Sequence, residues 1–80
     1  MCRSIHRLYN MEPPATADEV LDAARQYVRK ISGATKPSQA NQDAFEVAVQ
    51  QVADISMRLL GQLVSSAPPR DRALEVTRRR

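Results

Sequence analysis

Apolar positions between residues 38 and 65 recur with a helical period, and the rest of the chain is arranged around that stretch. At 100° per residue, Phe45, Ala48, Val49, Val52, Ile55, Ser56, Leu59, Leu60 and Leu63 share one face. Asp43, Gln50, Gln51, Asp54, Arg58 and Gln62 lie opposite. The pattern predicts a long helix over about 39–65, with Ser38 as its N-cap and Asn41 as a competing cap. The apolar arc is wider than a two-stranded seam, so this helix is expected to pack against more than one neighbour.

A shorter helix is predicted over about 17–31. Thr16-Ala-Asp-Glu19 reads as a capping box, in which hydroxyl and carboxylate each take a backbone amide of the other residue. Val20, Ala24, Tyr27 and Ile31 form its stripe, with Leu21 and Val28 alongside. Asp18, Glu19 and Asp22 lie towards the positive end of the helix dipole, and Arg29 and Lys30 lie at the negative end. Gly33 follows as a left-handed stop. With only about 5–6 residues between them, the two helices are expected to fold back as an antiparallel hairpin.

The two lengths do not match. At 1.5 Å per residue the helices span roughly 22 Å and 39 Å, so the second overhangs the first and leaves Leu59, Leu60 and Leu63 uncovered. Residues 1–11 carry Ile5, Leu8 and Tyr9 at i, i+3 and i+4, the apolar face of a short helical segment. That segment is expected to close the open end of the hairpin. Pro13-Pro14 then forces an extended link into the first helix. Pro68-Pro69 ends the second helix by Ala67, and Leu74 and Val76 beyond it share no helical face. The expected organisation is a single all-α domain over 1–67 with a flexible basic tail over 68–80.

Composition narrows the picture. Eighty residues with no Trp, one Phe and two Tyr build a thin core, which favours a dimer or a bound partner. A single Cys excludes an internal disulfide, and neither a secretory segment nor a membrane-length apolar run is present, so a cytoplasmic protein is expected. The net charge of +3 comes from the tail, where Arg70, Arg72, Arg78, Arg79 and Arg80 outnumber Asp71 and Glu75. The high pI therefore says little about the folded body.

The order of motifs resembles a family of short bacterial proteins known only as a domain of unknown function. It rests on Met-Cys-Arg-x-Ile at the start, Leu8-Tyr-Asn-x-Glu-Pro-Pro-Ala-Thr16, Gln26-Tyr-Val-Arg-Lys-Ile-Ser-Gly33, Lys36-Pro-Ser-x-Ala-Asn41 and Ala67-Pro-Pro-Arg-Asp-Arg72. The sequence departs from that pattern in a shorter charged tail and in Ile55-Ser-Met57, where Ala is more usual. The resemblance implies a compact helical protein and brings no activity, cofactor or catalytic residue with it.

Three groups of residues invite chemistry. Cys2 becomes the N-terminus if Met1 is removed, with its α-amine as base for its own thiol and His6 one helical turn away. The plainer reading is a small buried thiol beside a surface histidine. Cys2 and His6 supply two ligands where zinc wants three or four, so no metal or other cofactor is expected. Arg29, Lys30, Lys36 and Ser38 gather at the inter-helix turn as an anion-binding candidate, although the order and spacing of a P-loop are missing. There the plainer reading is charge against the dipole, a capping serine and a solvated lysine. The five tail arginines are the nucleic-acid candidate, without aromatic stacking residues or a recognition helix, and a solubilising tail is the plainer reading.

Tyr27 and Phe45 are spaced as core residues, whereas Val47, Met57 and Val64 lie off the main stripe. The expected function is an interaction or scaffold module acting through helix–helix contacts, as a homodimer or with another protein. Weak nucleic-acid or phosphate binding through the tail and turn is the first alternative, and thiol chemistry at Cys2 the second. No complete catalytic set is visible.

Overall fold

The computed structural model describes residues 5–71. Two helices in contact dominate it: α1 (Ala17–Ser32) and α2 (Gln42–Gln62). Two short strands, β1 (Met11–Glu12) and β2 (Arg70–Asp71), form a parallel bridge with Met11 opposite Arg70 and Glu12 opposite Asp71. Arg25 of α1 meets Glu46 early in α2, while Val20 shares a groove with Ser56 further along it, so the helices run antiparallel.

Local chemistry accounts for α1 in full. The Thr16 hydroxyl accepts the Glu19 amide at 3.2 Å, and the Glu19 carboxylate accepts the Thr16 amide at 3.0 Å, which closes the capping box. Asp18 and Glu19 occupy its first turn, and Arg29 and Lys30 its last. Gly33 ends it at φ 73°, a left-handed conformation that costs glycine little, and its amide donates to the Arg29 carbonyl.

The start of α2 departs from the expectation. Ser38 precedes a short 3-10 turn at Gln39–Asn41, and the α-helix proper starts at Gln42. Neither the Ser38 nor the Asn41 side chain makes a cap hydrogen bond. At its other end α2 stops at Gln62, three residues short of the predicted 65, with Leu63 already extended. Gly61 weakens the last turn, and the chain must swing away there to bring residues 65–70 back towards Asn10.

Gly61 has helical backbone, and a Cβ built on it meets nothing within 4 Å. Gly61→Ala is therefore expected to stabilise the fold by about 0.5 kcal/mol, measured by chemical denaturation, because the gain comes from the unfolded chain. A loss instead would show that the last turn needs glycine.

The core is narrow. Val20, Ala24 and Val28 of α1 pack with Phe45, Val49 and Ala53 of α2, each set repeating at i, i+4. Val49 is 1% exposed. Two sequence expectations need correcting here. Tyr27 is 46% exposed and Ile31 67% exposed, so neither belongs to the core, and the inner row of α1 runs through Val28 instead. On α2 the predicted face is too broad, since Ile55 is 62% exposed while Ala53 is buried. One neighbouring helix covers only the middle of so wide an arc.

The N-terminal segment does close the hairpin in part, but not as a helix. Among residues 5–12 there is no helical turn; Tyr9 and Asn10 form a turn, with Asn10 at φ 57°, and Met11–Glu12 are extended. A segment this short cannot repay its helix nucleus, and its last two residues, Met11 and Glu12, gain a strand partner in Arg70–Asp71. Leu8 packs against the core, and Met11, absent from the predicted face, is buried. Leu60 is half-buried by this cover, but Leu59 and Leu63 stay about half-exposed.

The chain past Pro69 departs from the expected start of the tail. Arg70 donates its amide to the Asn10 carbonyl at 2.8 Å, and the Asn10 side-chain amide donates to the carbonyls of Ala67 and Pro68 at 3.2 and 3.3 Å. The rest of the tail, residues 72–80, lies outside the described residues.

Candidate functional site

The antiparallel pairing leaves the hairpin with two different faces. The flank of α1 that carries Ala23 and Tyr27 and the flank of α2 that carries Val52, Ile55 and Leu59 open on the same side. Between them runs a groove of about 290 Å³, with Ile5 and Leu8 of the N-terminal segment at one end. From Ala44 to Leu63 this flank of α2 has no charged residue: Ala44, Ala48, Val52, Ile55 and Leu59 are bordered by Gln51 and Gln62. Such depletion of charge is typical of the core of a protein interface.

The opposite face is polar and carries charges of both signs, among them Asp22, Arg25, Arg29 and Glu46. Arg25 makes a bidentate contact with Glu46, Nη1 to Oε1 at 2.7 Å and Nη2 to Oε2 at 3.2 Å. The hydrogen bond from Arg25 holds the Glu46 carboxyl below the usual carboxylate range, with further help from the charges of Arg25 and Arg29. Beside this pair lies a cleft of about 220 Å³ formed by the end of α1, the connecting loop and the first turn of α2. Arg25, Arg29, Thr35, Lys36, Gln42 and Glu46 provide its polar groups, and Phe45 and Pro37 its apolar wall. The Arg29 Nε is buried there without a hydrogen-bond partner among the described residues.

The anion candidates read from sequence divide on inspection. Arg29 and Lys36 come together in the cleft, while Lys30 and Ser38 are exposed outside its lining. Arg25, Thr35, Gln42 and Glu46 were missed, because their approach depends on how the helices pack. The i, i+4 spacing of Arg25 and Arg29 was the available clue.

The other candidates are less assembled. Cys2 lies outside the described residues, so its pairing with His6 is not described; His6 is exposed beside the apolar groove. Of the nucleic-acid candidates, Arg70 is held in β2, and Arg72, Arg78, Arg79 and Arg80 lie outside the described residues. Among the described residues no group of three or more His, Cys, Asp or Glu is placed to hold a metal ion, and no helix is long and apolar enough to cross a membrane.

Residues 1–78 match a family described as uncharacterized conserved protein (DUF2277). No curated protein and no solved structure matches the chain.

Proposed function

The chain belongs to that DUF2277 family, and we propose that it is an interaction module whose apolar hairpin face docks on a second copy of itself. The observation that carries this reading is a hydrophobic face with no second layer among the described residues. There α1 and α2 lie side by side as a single layer of two helices, whereas stable domains enclose their core between two layers.

Tyr27, Ile31, Ile55 and Leu59 stand about half-exposed or more on that single layer. With Ala23, Ala48 and Val52 they make a patch on the order of 500 Å². Two such patches face to face approach the ~1,200 Å² that a specific interface buries in total. Charge favours a like partner as well. Glu19 and Lys30 border the patch at opposite ends of α1, so an antiparallel α1–α1 contact between copies sets opposite charges side by side.

Sedimentation equilibrium over the range from one to about a hundred micromolar tests this, together with the melting temperature as a function of concentration. The expected result is a dimer whose Tm rises with concentration, and a monomer on Ile55→Glu or Leu59→Glu. Both side chains are exposed in the single chain, so these changes cost the monomer little. A strict monomer across the range, or a dimer indifferent to both substitutions, overturns the reading; the first outcome leaves the face to a helix of another protein.

A further inference from the structure

The basic cleft on the other side of the hairpin is independent of the apolar face and has its own chemistry. Three cations, Arg25, Arg29 and Lys36, line it against a single carboxylate, Glu46. That carboxylate is already engaged in both of its oxygens by Arg25. The side chains of Arg29 and Lys36 make no hydrogen bond or salt bridge among the described residues, although the charge of Arg29 also acts on Glu46, and the Nε of Arg29 is shut off from water. The Nε itself is out of a ligand's reach, but the charges of Arg29 and Lys36 at the cleft are only partly balanced by Glu46, and a bound anion would balance the remainder.

We infer that this cleft binds one phosphomonoester-type dianion, with Arg29 and Lys36 as its cationic contacts and the Thr35 hydroxyl as a further donor. Arginine presents a planar fork suited to phosphate oxygens, and lysine adds a point charge from the loop. The size of the cleft selects among phosphate ligands. About 220 Å³ admits a phosphoryl group and a small substituent, less than the ~300–1,000 Å³ of sites that enclose a drug-sized ligand. A nucleic-acid backbone is a poorer fit, since it calls for phosphate contacts spread along a surface rather than one recess.

Glu46 makes the proposal sharp. Among the described residues that line the cleft it is the one negative group, with Asp22 acting on Arg25 from beyond the lining, so removing its charge is expected to tighten anion binding, while loss of Arg29 or Lys36 loosens it. A purely structural role for these side chains predicts no such opposition of sign.

The experiment is a titration of the ¹⁵N-labelled full chain with phenyl phosphate, inorganic phosphate and sodium chloride at matched ionic strength, following the Arg29 Nε–H and the Thr35 and Lys36 amides. Expected are saturable shifts with both phosphates and none with chloride. Binding should weaken by about tenfold in Arg29→Gln and in Lys36→Gln, and tighten severalfold in Glu46→Gln. Lys36 is exposed on a loop, so its variant keeps the fold if Arg29→Gln does not. Affinity should also fall between pH 7 and 5 as the ligand takes up its second proton, with a pKa near ~6. The proposal is overturned by equal shifts with chloride, by unchanged affinity in Lys36→Gln, or by weaker binding in Glu46→Gln. It is equally overturned if an oligonucleotide without terminal phosphate outcompetes phenyl phosphate for the same residues.

Discussion

Phe45→Ala is expected to cost about 3–5 kcal/mol and to lower Tm by about 15–30 °C. Phe45 is the only aromatic side chain in a core of six residues, and its partners Val28 and Val49 are too small to collapse into the space it leaves. A chain of this size has a total stability of only ~4–12 kcal/mol, so the variant should be largely unfolded at 37 °C. Far-UV circular dichroism during thermal and urea denaturation measures the loss. Phe45→Leu, which restores most of the volume, should recover all but about 1.5 kcal/mol. A cost below about 1 kcal/mol for the alanine variant would mean that the α1–α2 core is not what holds the hairpin closed.

The second large effect belongs to Asn10, the point where the two ends of the described chain are tied together. Its backbone lies in the left-handed region, where Asn is tolerated and Ala costs about 1 kcal/mol. Its side-chain amide donates to the Ala67 and Pro68 carbonyls, and its own carbonyl accepts from Arg70. Asn10→Ala is therefore expected to lose about 2–3 kcal/mol and to release the segment that carries Arg70 and Asp71. Hydrogen exchange at the Arg70 amide reads the release directly, as a loss of protection greater than that of the α1 and α2 amides. Asn10→Gly separates the causes, because it keeps the left-handed backbone and removes only the amide, so it should lose about half as much. If Arg70 exchanges at the same rate in all three proteins, the strand pairing does not depend on Asn10.

Much of this architecture could be read from short windows of sequence. Thr16 and Glu19 make their capping box without help from the rest of the chain, and Gly33 ends α1 where a left-handed residue is needed. The signals at these ends act over three or four residues, so they survive being read in isolation. That Arg29 and Lys36 would line one cleft was legible for the same reason, as charges clustered at a turn. The rest of that lining was not. Arg25 and Glu46 stand 21 positions apart, and nothing local says that they will meet.

By itself the sequence determined that there would be two helices, where α1 begins and ends, and which residues were able to form an apolar face. Only the tertiary structure decided which of those residues are buried. α2 carries an arc wide enough for two neighbouring helices and, among the described residues, received one helix and a short cover near Leu60, so Val49 and Ala53 went inside while Ile55 and Leu59 stayed out. It also decided the form of the N-terminal segment. The periodicity of Ile5, Leu8 and Tyr9 favours a helix, but so short a helix does not repay its nucleus, and the chain just after it is drawn out by the strand partner that reaches Met11 and Glu12 from residues 70 and 71. Local pattern sets what each segment can offer; the neighbour that packing brings to it sets which offer is taken up.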